Sequence, residues 1–77
     1  MDWKERITLD AGVLAGKPII QGTRISVELV IDLLGRGWTV EQVLAEYDHL
    51  TPRDVQACLA YAGDVLKSER VYLIPGA

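Results

Sequence analysis

Three side chains at the start of one predicted helix have the chemistry to read a nucleic acid: Thr51, Arg53 and Gln56. A guanidinium can bond a guanine edge in two places and a carboxamide can do the same to an adenine edge. Lys17 and Arg24 add two cations upstream, in a stretch from Ala11 to Val27 that contains no acid. There they can meet phosphate, the source of most sequence-independent affinity. Residues 39–66 pull the other way. Arg53 stands alone there against Glu41, Glu46, Asp48, Asp54 and Asp64, a net of −4. That balance disfavours phosphate and makes a protein partner the safer expectation.

Catalysis lacks its parts. His49 is the single histidine, and the Asp48-His49-Leu50 turn around it offers no Ser or Cys nucleophile. Asp48 and His49, adjacent in sequence, point in different directions and define no metal site. Asp10, Asp32 and Asp64 have no metal-ligand spacing, and GKPIIQG at 16–22 lacks the spacing of a phosphate-binding loop. Cys58 falls on an apolar helical stripe, the setting of an inert core thiol. The expectation is a protein that is not an enzyme and needs neither metal nor cofactor.

Local signals indicate the elements that must position these residues. Ser26 can cap a helix running from about Val27 to Arg36, with Val27, Val30, Ile31 and Leu34 on one stripe. Gly35 and Gly37 supply the backbone at which it can stop. Thr39-Val-Glu-Gln42 has the pattern of a capping box, opening a short second helix whose stripe is Val40, Val43, Leu44 and Tyr47. After the turn at 48–50, Thr51-Pro52 reads as a cap followed by proline at the first helical position. The third helix then runs to about Leu66, with Val55, Leu59, Ala62 and Leu66 inward and Cys58 beside them. Ile19-Ile20 and Thr23-Arg24-Ile25 are strand-prone runs joined by Gln21-Gly22, which predicts a tight hairpin. Arg6–Leu9 and Val71–Ile74 are further strand candidates. The fold expected is α+β: a three-helix, helix-turn-helix-like core with a short N-terminal β-hairpin and a C-terminal strand.

With 77 residues the chain has the length of one small domain. It divides into strands over 1–25, the three-helix unit over 26–67 and a strand or tail over 68–77. One core at this size supplies only about 3–5 kcal/mol, and such domains usually carry a staple. A single cysteine cannot form an internal disulfide, which leaves association. A homodimer is therefore expected, with Leu29, Leu33 and Trp3 as the apolar side chains left for its interface. Eight Lys and Arg against eleven Asp and Glu give a net charge of −3. Residues 1–38 are neutral, so the whole deficit lies in 39–77. No apolar run approaches the ~20 residues of a membrane span, and MDWKERITLD lacks the apolar core of a signal peptide. With one cysteine that suits a reducing compartment, the expectation is a cytoplasmic protein.

Residues 16–62 carry a resemblance. GKPIIQGTRISV at 16–27 and LTPRDV at 50–55, with the helix and the Gly37-Trp-Thr-Val-Glu-Gln-Val43 block between them, resemble the prokaryotic domain-of-unknown-function family 433. Asp48 stands where members of that family often have proline. The resemblance implies a helix-turn-helix-like, homeodomain-like fold and a role as a VapB-like antitoxin. The implied partner is a PIN-like nuclease toxin, and the implied secondary role is repression of its own operon by binding operator DNA as a dimer. Within this chain the end that combines apolar surface with a cation is the tail, so Arg70, Tyr72 and Leu73 are the expected toxin contacts.

Overall fold

A computed structural model describes residues 2–68 of the chain. A single helical turn at Trp3–Glu5 leads into β1 (Ile7–Leu9), and a turn at Leu14–Gly16 leads into β2 (Pro18–Ile20). Three helices follow: α1 (Val27–Gly35), α2 (Val40–Glu46) and α3 (Pro52–Ser68). The expected C-terminal strand at 71–74 lies outside the described residues. The architecture is α+β, with an antiparallel strand pair packed beside a helix-turn-helix-like trio.

The strand pairing differs from the expectation. β2 pairs with β1, in the register Ile7↔Ile20, Thr8↔Ile19 and Leu9↔Pro18, and Thr23–Ile25 forms no strand. The reason lies in Thr23. Its hydroxyl donates to the Ile20 carbonyl at 2.7 Å and accepts from the Ile25 amide at 2.9 Å. A side chain thus takes bonds that a partner strand would have used. The Thr23 amide also reaches the Ile20 carbonyl at 3.0 Å, with Gly22 at φ +80°, as the third position of a type II turn requires. What remains of the predicted hairpin is the Ile20 amide donating to the Ile25 carbonyl at 2.9 Å and one bridge between Ile19 and Ser26.

The helix boundaries follow the caps. The Ser26 hydroxyl accepts from the Leu29 amide at 2.9 Å. The Thr39 box is complete: the Gln42 amide donates to the Thr39 hydroxyl at 3.1 Å, and the Thr39 amide donates to Gln42 Oε1 at 2.8 Å. α1 ends in a Schellman arrangement, with the Gly37 amide donating to Leu34 at 3.0 Å and the Trp38 amide to Leu33 at 3.1 Å. Gly37 carries the left-handed backbone this needs, at φ +98°.

The core joins Ile7, Ile20 and Ile25 of the N-terminal segment to Val30 of α1, Val43 of α2 and Val55 and Cys58 of α3. The inward face of α3 is the expected one only in part, at Val55 and Cys58. Asp54, Val55, Ala57 and Cys58 are buried, while Leu59 is 49% and Leu66 63% exposed. The helix carries two apolar stripes, and the one beginning at Val55 and passing through Cys58 to Tyr61 is turned inward.

Candidate nucleic-acid and partner surfaces

Thr51, Arg53 and Gln56 come together at the exposed start of α3, as the cap pattern predicts. The surprise is between them. Asp54 occupies the third position of the helix and turns back into a second capping box. Its Oδ2 accepts from the Thr51 amide at 2.9 Å, and its own amide donates to the Thr51 hydroxyl at 3.3 Å. Its other oxygen, Oδ1, accepts from Arg6 Nη1 at 2.9 Å. Burial alone would push the Asp54 carboxyl up. The Thr51 amide, the Arg6 guanidinium and the Thr51 hydroxyl together outweigh that and hold it below its usual range.

Two consequences follow for the surface. The acid that appeared to sit beside Arg53 is instead buried and neutralised from behind, so Arg53 and Gln56 face solvent without it. The Thr51 hydroxyl, in contrast, is already used by the cap. The T-x-x-D spacing at 51–54 was the signal for Asp54's inward role. Nothing in the sequence points to Arg6, which lies 48 residues away.

Lys17 and Arg24 lie on a separate element, the segment around β2, and the acid-free stretch proves less free in space. Lys17 Nζ meets Glu28 Oε1 at 3.3 Å, both side chains well exposed. Such a pair contributes little to stability, but it dilutes the positive field that Lys17 would offer to phosphate. Arg24 is exposed.

The expected dimer residues are partly used within the chain. The Trp3 ring stands edge-on to Tyr61 at a centroid distance of 4.8 Å, and its Nε1 donates to Asp64 Oδ2 at 2.6 Å. This clamps the N-terminal turn onto α3. Leu29 and Leu33 are half-buried against the core. Arg70, Tyr72 and Leu73 lie outside the described residues.

Cys58 is buried, and desolvation followed by the nearby Asp54 charge pushes its thiol up to about 12. His49 Nδ1 lies 3.9 Å from Asp48 Oδ1 on an exposed turn. Among the described residues no three His, Cys, Asp or Glu side chains gather as a metal-binding group, and no helix is long and apolar enough to cross a membrane. An open groove of about 560 Å³ lies between α1 and α3, lined by side chains such as Val27, Ile31, Tyr61 and Val65.

Comparison with known proteins places this geometry. The model of a family described as "Protein of unknown function (DUF433)" matches residues 7–62. That span runs from the first residue of β1 through most of α3. A crystal structure of a DUF433 member protein from Anabaena variabilis ATCC 29413 superposes with a TM-score of 0.78 at 28% identity, over 84% of this chain. This chain spans 64% of the length of that protein. Comparison with curated proteins finds no match.

Proposed function

The chain belongs to the DUF433 family, and from that premise we propose that it is the antitoxin of a toxin–antitoxin pair, acting in the cytoplasm as a homodimer. Its partner is a PIN-like nuclease, bound through the segment containing Arg70, Tyr72 and Leu73. A nuclease of that kind holds its metal with clustered carboxylates. A guanidinium such as that of Arg70 can pair with a carboxylate bidentately, while Tyr72 and Leu73 cover apolar surface beside it. The test is co-expression with the nuclease encoded next to this gene. Rescue of growth and a co-purifying complex are expected; toxicity unrelieved by this protein, with no complex, overturns the proposal.

Operator binding is the second half of the proposal, and one observation carries it. With Asp54 folded into the cap and paired with Arg6, the outward side chains at the start of α3 are Arg53 and Gln56, the pair suited to base edges. Arg24 supplies phosphate contact, Thr51 contributes through its place at the helix start, and Lys17 contributes least because of Glu28. The acidic remainder of residues 39–66 makes the free protein a weak binder and a complex with a more basic toxin a stronger one. Titration against the upstream operator at low and moderate salt tests this. Affinity absent at low salt, with and without toxin, removes the DNA role, since phosphate-driven binding must strengthen there. DNA binding without any nuclease partner would instead mark a plain transcriptional regulator.

A further inference from the structure

Arg6 is held at both ends of its backbone. Its amide closes the N-terminal turn by donating to the Trp3 carbonyl at 2.9 Å, and its carbonyl accepts from the Gln21 amide at 2.7 Å. Trp3 in turn is fixed on α3 by the Tyr61 ring and the Asp64 carboxylate. The guanidinium therefore reaches Asp54 Oδ1, at 2.9 Å, from an anchored root. The start of α3 does not need it as a cap. Thr51 and Asp54 complete a capping box by themselves, through the Thr51 amide and hydroxyl. What Arg6 alone supplies is a positive charge, set against a carboxylate whose side chain is 11% exposed and which is next to Arg53 in the chain. An ionised carboxylate at that depth is poorly screened by salt. Without Arg6 its negative field would reach the face that presents Arg53 and Gln56.

We infer that Arg6 is a positioning residue of the nucleic-acid surface: without touching DNA, it neutralises Asp54 from behind and so gives the start of α3 the charge that operator binding requires. The inference rests on the DNA-binding half of the proposed function and adds the N-terminal turn to it. The test is titration of the upstream operator DNA at low salt with full-length wild type, Arg6→Gln, Asp54→Asn and the double variant Arg6→Gln/Asp54→Asn. At the Arg6–Asp54 pair these variants carry, in that order, one positive charge less than wild type, one negative charge less, and the same net charge. Arg6→Gln should bind about fivefold more weakly and Asp54→Asn about fivefold more tightly, the factor for one unit charge ~4 Å from a phosphate in water. The double variant should return to the affinity of wild type. A merely structural role gives a different order, because the double variant loses both halves of the pair and would bind no better than Arg6→Gln. Arg6→Gln binding as tightly as wild type, or a double variant that stays as weak as Arg6→Gln, overturns the inference and leaves the DNA reading standing. Wild type without affinity at low salt removes both. If circular dichroism shows that Arg6→Gln does not fold, Asp54→Asn decides alone. It is expected to lose stability and yet gain affinity, and an affinity unchanged or lowered is fatal.

Discussion

Replacing Asp54 by Asn removes one charge from the junction of α3 with the N-terminal segment while keeping the side chain's shape. Asp54 is 8% exposed and accepts from the Arg6 guanidinium and the Thr51 amide at 2.9 Å each. Hydrogen bonds to a charged group contribute about 1.5–3 kcal/mol when well shielded. The Arg6 side chain is 35% exposed, so solvent screening puts its share near the lower end. The Asn variant keeps the bond to the Thr51 amide in neutral form and should lose about 1–2 kcal/mol. Asp54→Ala, which also loses the cap worth ~1 kcal/mol, should lose about 2–3 kcal/mol. Against the ~3–5 kcal/mol available to so small a core, the Ala variant sits near the limit of folding, so Asn is the measurable change. Urea unfolding is the assay, and with a slope of ~1 kcal/mol per molar the midpoint should fall by ~1–2 M. The sign with pH is definite. A carboxyl held below its unfolded value of ~3.9 contributes fully above that value, and the contribution disappears as the pH falls through the lower folded one. The gap between wild type and Asp54→Asn should therefore be full at neutral pH and shrink as the pH falls below the unfolded value of ~3.9. A gap of the same size at neutral and at low pH would refute the charge-pairing account and leave only a shape effect.

Other measurements probe single features. Gly37→Ala meets no atom within 4 Å of its new Cβ but must adopt φ +98°, and it should lose about 1 kcal/mol by thermal or urea unfolding, purely from backbone conformation. Leu14 and Ala15 hold φ of 49° and 57°, so Ala15→Gly should raise stability by about 0.5–1 kcal/mol in the same assay, the reverse of what glycine does in a helix. Cys58, with its thiol pushed up to about 12, should resist a thiol-specific reagent at pH 8 in the native state and react at once in denaturant; native labelling as fast as that of a free thiol contradicts its burial.

The helical caps were legible because each is written within four residues. Ser26, the Thr39–Gln42 box and Thr51-Pro52 announce where a helix begins, since the hydroxyl and the amide it serves are three positions apart. The strands were less so. Ile7–Leu9 was legible as strand-prone, but its pairing with Pro18–Ile20 had a local competitor in Thr23–Ile25. Only the Thr23 hydroxyl, by taking the Ile20 and Ile25 bonds, decides against that competitor. On α3 the periodicity of Leu59, Ala62 and Leu66 is as good a helical stripe as that of Val55, Cys58 and Tyr61. A stripe says that a face can be buried, not that a neighbour exists to bury it.

The candidate surface divides along the same line. That Arg53 and Gln56 stand at the start of a helix is determined by the sequence itself, through the cap and the proline that precede them. That Asp54 does not oppose them, because Arg6 lies 2.9 Å behind it, is decided only when the N-terminal turn closes onto α3. That closure depends on Trp3 meeting Tyr61 and Asp64, residues about sixty positions away. Short-range hydrogen bonds depend on residue type at fixed offsets and can be read in order along the chain. The neutralisation of a charge depends on which distant group the packed core brings beside it, and only the tertiary structure sets that.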